Sequence, residues 1–162
     1  MTMLMRFILS VLLLAVLMTG CARRFSGDFE FRNRSNTNLY VEIYGFERNP
    51  PVGLLYPTGN NGSDMGAMPL PPQAILTWSE TYETTIKTEH GSSFGRDVLN
   101  NPYMLNFDSP TNGVAIATMR KPESHTETFL MSSISNWSPN AALFFEFGSN
   151  RVWKVSCKSE NK

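Results

Sequence analysis

Glu123, His125 and Glu127 alternate along the chain, so on an extended strand all three side chains leave from one face. Two carboxylates flanking an imidazole could hold a divalent metal or poise the histidine as an acid or base. One strand supplies only part of such a site, and Pro122 beside it favours a loop. A solvated surface is the more ordinary use of these residue types. Glu89-His90 followed by Ser92-Ser93 brings together an acid, a base and hydroxyls. A triad, however, is a matter of geometry, and neighbours in sequence seldom form one. Glu80 and Glu83 are the types a glycosidase pairs, but they differ in parity, so a strand turns one away from the other. No Gly-x-Ser-x-Gly elbow, His-Glu-x-x-His pair or phosphate-cradling glycine loop occurs. The expectation is a chain with no catalytic set, no metal site and no cofactor.

Aromatic side chains are the other candidates. Tyr40, Tyr44 and Phe46 fall on the face opposite Leu39, Val41 and Ile43. With Tyr56 and Trp78 they make up a candidate binding surface, a platform for a glycan, peptidoglycan or an envelope protein. The alternative is that residues 39–46 form a central strand whose second face is covered by the long segment that follows. Core packing is the ordinary use of such stripes.

The N-terminus has the three-part layout of a secretory signal. Arg6 precedes a mostly apolar run from Phe7 to Met18, and Thr19-Gly20-Cys21 closes it. That run is shorter than the ~20 residues needed to cross a bilayer core. Leu17-Met18-Thr19-Gly20-Cys21 resembles the lipobox of bacterial lipoproteins, with Met18 where that class usually has leucine. The resemblance covers residues 1–21 alone. It implies removal of residues 1–20, a diacylglycerol on the Cys21 sulfur and acylation of its new amino group. Ala22 stands where an aspartate would signal inner-membrane retention, so the resemblance points to the outer membrane. Two or three chains, at about 0.8 kcal/mol per buried methylene, hold a protein stably where one does not.

Lipidation consumes Cys21 and leaves Cys157 as the second of two cysteines, unpaired. Trp153, Val155 and Cys157 share one parity while Lys154, Ser156 and Lys158 share the other. On a strand Cys157 then faces the core as a small hydrophobe, away from any cation that would activate it. Net charge is zero, and no basic tract exists to displace counterions from nucleic acid, so that partner is excluded. Hydrophobic residues at 41% suffice for a packed core.

Behind a lipidated N-terminus and tether at 21–27, residues 28–158 read as a single β domain. Phe29 and Phe31 alternate with charged residues, and residues 39–46 alternate most clearly of all. Residues 48–73 carry Pro50-Pro51, Pro57, Asn60-Asn61-Gly62, Pro69 and Pro71-Pro72, a density that cannot form a central strand. Only Val52–Tyr56 suits a short edge pairing. A connection this long is functional or mobile, and deleting residues 57–68 is expected to spare the fold while abolishing partner capture. Strand texture returns at 74–81, 84–89, 103–107, 114–119, 126–132, 142–147 and 151–157, with one helical turn at 96–101 and Asn112-Gly113 as turn chemistry. Short strands at this spacing predict an all-β fold, an antiparallel sandwich with the immunoglobulin-like form first and a small barrel second. The function expected is a lipid-anchored envelope protein whose β domain binds or scaffolds a partner without catalysis. The alternatives are an inhibitor of a cell-wall hydrolase, or a hydrolase centred on His90 or His125.

Overall fold

The computed structural model describes residues 24–87, 100–108, 112–135 and 137–159. The Cys21 anchor, the His90 cluster and most of the helical turn expected at 96–101 lie outside them. Period-two burial makes the strands. In β2 (Asp28–Asn33) the buried positions are Phe29, Phe31 and Asn33, and in β3 (Leu39–Tyr44) they are Leu39, Val41 and Ile43. In β11 (Ala141–Phe147) they are Ala141, Leu143, Phe145 and Phe147. In β12 (Trp153–Ser159), Trp153 and Cys157 are buried, as their shared parity requires.

The fold is an all-β sandwich. One sheet has the order β12-β11-β2-β5, with β5 at Asn60–Asp64. Its pairs are antiparallel except β11 with β2, which run parallel with Phe145 opposite Phe31. The other has the order β4-β3-β7-β9-β8, built from β4 (Gly53–Leu55), β7 (Gln73–Lys87), β8 (Met104–Phe107) and β9 (Val114–Arg120). Two expected strands at 74–81 and 84–89 are thus one 15-residue strand. β9 pairs with its second half and β10 (His125–Leu130) with its first, so the sheet curls towards a half-barrel. A 3₁₀ turn, Met131–Ser133, follows β10.

The core lies between the sheets. Phe31 stacks on Phe145 at 5.0 Å and 13°, and Leu39, Val41 and Leu76 from the facing sheet join the same buried cluster. Each such side chain contributes about 1.5–3 kcal/mol by leaving water. Asn33, fully buried, ties the sheets together. Its amide donates to Thr37 O and Leu55 O, and its carbonyl accepts from the Ser35 amide and hydroxyl. A buried amide with all these bonds made is no burden on stability.

Two expectations are corrected. The segment 48–73 is no free loop: β4 joins one sheet, β5 joins the other, and β6 (Met68–Pro69) pairs with β1 (Arg24–Phe25). Its prolines lie between these strands or on short edge pairings, where a missing amide costs little. Removing 57–68 would therefore remove β5 and the buried Met68. The tether is also shorter than residues 21–27. Phe25 is 1% exposed and packs edge-on against Phe29 at 5.3 Å, so the folded part already includes Arg24–Phe25.

Candidate functional site

The outer face of β3 presents Tyr40, Glu42 and Tyr44 because Leu39, Val41 and Ile43 take the inner face. Tyr40 Oη donates to Glu42 Oε1 at 3.3 Å. Burial pushes both tyrosine phenols above their usual range, the Glu42 charge adds to this, and the Arg120 charge opposes it. Both therefore remain neutral hydroxyl donors at neutral pH. Beside them a groove of about 380 Å³ runs between β3 and the stretch holding Pro50, Pro51 and Val52. Tyr44, 42% exposed, lines it.

Arg120 completes the face from β9. Its residue pairs with Thr81 of β7, and its amide donates to Tyr103 O at 2.7 Å. The guanidinium lies 5.6 Å from the Tyr40 ring centroid and 5.8 Å from that of Tyr103. Such cation–π contacts are worth about 0.5–2 kcal/mol each and hold the group near both rings. Arg120 has no ion pair among the described residues. Its Nε and the Thr81 Oγ1 beneath are buried and without a hydrogen-bond partner. The tyrosines and carboxylate of β3 and the guanidinium of β9 thus share one outer face, with β7 between the two strands.

No protein-family model matches this chain, and no curated protein is significantly similar to it. The site has to be read from its own geometry.

The five aromatics of the expected surface divide. Tyr40 and Tyr44 belong to the face just described, and Tyr56 is 55% exposed but lines no part of the groove. Phe46 and Trp78 are corrected to core residues, 6% and 4% exposed. Phe46 leaves the outer face because β3 ends at Tyr44 and Gly45, at φ +102°, turns the chain so that its parity reverses. Trp78 points inward because it pairs with Val41 on an inner-face row. Arg120 and Tyr103 escaped the reading of the sequence. Neither sits in a motif, and what joins them to Tyr40 is the order of strands.

The acid–base candidates are brought together only in part. Glu123 Oε1 lies 3.7 Å from His125 Nε2, and the imidazole stacks on Trp78 at 4.3 Å. Glu127, two residues on, also faces inward. Burial pushes its carboxyl up, while the Trp153 backbone, the nearby Trp78 indole and the His125 charge pull it down. The Trp78 and Trp153 indole N–H groups are buried and meet no acceptor at hydrogen-bonding geometry. Glu80 is occupied by Lys121 at 2.6 Å and Arg151 at 2.7 Å, with Glu83 exposed on the other parity. Among the described residues no three of His, Cys, Asp and Glu converge as metal ligands. Cys157 is buried and unpaired.

Proposed function

We propose that the protein is a bacterial envelope lipoprotein, cleaved before Cys21, acylated there and held at the outer membrane. Its β domain binds or scaffolds an envelope protein or a glycan and performs no chemistry of its own. The observation that carries this reading is the sequence Leu17-Met18-Thr19-Gly20-Cys21 directly behind an apolar stretch. The first described strand starts at Arg24, three positions further on, so a lipid on Cys21 would hold the domain close to the bilayer. The Tyr40–Arg120–Tyr103 cluster supports a binding role, since its cation has no ion pair within the described domain and its rings offer stacking surface.

Expression in a bacterium, followed by detergent phase separation and intact-mass measurement, tests the anchor. The wild-type chain is expected in the detergent phase with the mass of residues 21–162 plus three acyl chains and glycerol. Cys21→Ser is expected in the aqueous phase. An unacylated wild-type mass, or a Cys21→Ser chain still in the membrane fraction, refutes the proposal. The binding role is tested by crosslinking in intact cells: Tyr40→Ala with Tyr44→Ala should lose the crosslinked partner while keeping the acyl mass.

A further inference from the structure

The main chain at Tyr40 and at Arg120 is bonded to a neighbour on both sides. Tyr40 sits on β3, between β4 and β7, and Arg120 sits on β9, between β7 and β8. A peptide strand draws its affinity from backbone hydrogen bonds at a free sheet edge. Tyr40 and Arg120 have no free edge to give, so recognition at these two residues runs through side chains, while the β4 pairing stops at Val41 and leaves one side of Glu42–Tyr44 open along the groove. Those side chains are two neutral phenols on β3, the ring of Tyr103, the Glu42 carboxylate and the Arg120 guanidinium. Phenol rings stack on the C–H faces of sugar rings, and a carboxylate such as Glu42 accepts from sugar hydroxyls. Arg120 demands an anion. A guanidinium is a planar fork matched to a carboxylate, and this one is held near both rings without an ion-pair partner among the described residues.

We infer that the Tyr40–Arg120–Tyr103 cluster and the groove beside Pro50-Pro51 bind a glycan strand that carries carboxylates, one sugar acid on Arg120 and a ring further along the same strand over Tyr44. This rests on the reading of the domain as a binding module and names its ligand class. The groove, about 380 Å³, accommodates roughly one sugar ring with its substituents.

The test uses the full-length lipoprotein in detergent micelles, immobilised, with three probes. Two are acidic: hexagalacturonate, and peptide-free peptidoglycan strands whose lactyl carboxylates are free. The third, neutral, is a hexamer of N-acetylglucosamine. At least one acidic probe is expected to bind and the neutral one to bind at least tenfold more weakly. Arg120→Gln should weaken acidic binding about tenfold to a hundredfold, since a charge-assisted bidentate pair has that worth. Arg120→Lys should recover only part of the loss, because the fork is gone while the charge stays. Tyr103→Ala, whose ring lies at the rim, should weaken it several-fold and serves if the Arg120 variants do not fold. Lys154→Gln, on the other sheet, should change nothing. Acidic and neutral probes binding alike, binding indifferent to Arg120 and Tyr103, or no acidic probe bound at millimolar concentration each overturns the inference. Tyr40→Ala with Tyr44→Ala separates the two readings: if it still costs the crosslinked partner in cells, a binding face exists but its ligand is not an acidic glycan.

Discussion

Glu80 and Glu127 are both glutamates on inner-facing positions, yet they respond to their surroundings in opposite directions. The hydrogen bond from Lys121 holds the Glu80 carboxyl below its usual range, with Arg151 and Lys121 charges adding and burial opposing. A pKa lower in the folded than in the unfolded chain means stabilisation that is complete above the unfolded value, about 4. It is lost as pH falls through the folded value. Glu127 runs the other way, because burial raises it by more than the Trp153 backbone, the Trp78 indole and the His125 charge lower it. Its contribution is complete below the unfolded value and is lost as pH rises through the folded one. Glu80→Gln is therefore expected to cost about 1 kcal/mol at neutral pH and to flatten the acid limb of the stability profile. Glu127→Gln should leave neutral-pH stability equal or higher. Urea denaturation followed from about pH 3 to pH 8 reads both, and parallel profiles for the two variants would contradict the assignment. At the same scale, Gly45 shows how one backbone angle redirects a side chain. A Cβ there would lie 2.5 Å from Gln73 O, so the turn that sends Phe46 inward is open only to glycine.

Among the elements, the proline-rich stretch between β3 and β7 is the one whose role departs furthest from its composition. It crosses between the sheets: β4 is bonded to β3, and five residues later β5 is bonded to β2. Side chains fasten the crossing. Asn33 Nδ2 donates to Leu55 O, the Asn33 amide to Gly59 O, and Asn61 Nδ2 to Val52 O at 2.9 Å. Gly27 and Gly66 approach so closely that a Cβ on Gly27 would collide with the Gly66 carbonyl oxygen. Deleting residues 57–68 removes Gly59, Asn61 and Gly66 from these contacts and strips the edge from β2. A domain stabilised by about 5–15 kcal/mol does not survive the loss of an inter-sheet crossing. The deletion variant is expected to lose its cooperative thermal transition in circular dichroism. A melting curve within a few degrees of wild type would show that the crossing is dispensable.

Across the whole molecule, one buried cluster contains side chains from both sheets, from Phe25 of β1 to Trp153 and Cys157 of β12. A core shared in this way couples the two sheets, although the buried Ala115, Ala117 and Met119 of β9 lie outside it. Urea unfolding followed by far-ultraviolet circular dichroism and by fluorescence of the buried Trp78 and Trp153 should give one midpoint. Separate midpoints would mean that the sheets unfold independently. The two outer faces hold their cations differently. On the tyrosine face Arg120 lies against two aromatic rings, whereas on the other sheet Arg32 pairs with Glu30 at 2.5 Å, Arg34 pairs with Glu146 at 3.4 Å, and Lys158 lies over the Phe144 ring.

The alternation in Phe29–Phe31, Leu39–Ile43 and Trp153–Cys157 was enough to place these residues inside a β-sandwich, because a strand's two-residue period is local and needs no partner to be read. The resemblance to a lipobox at Leu17–Cys21 likewise rests on residues contiguous in the chain. The parallel register of β2 with β11 was not legible in this way, nor the recruitment of Asn60–Asp64 as a strand, nor the meeting of Tyr40 with Arg120 and Tyr103. These depend on which strands become neighbours, and residues 80 positions apart acquire a distance only when the sheet closes its hydrogen bonds between them.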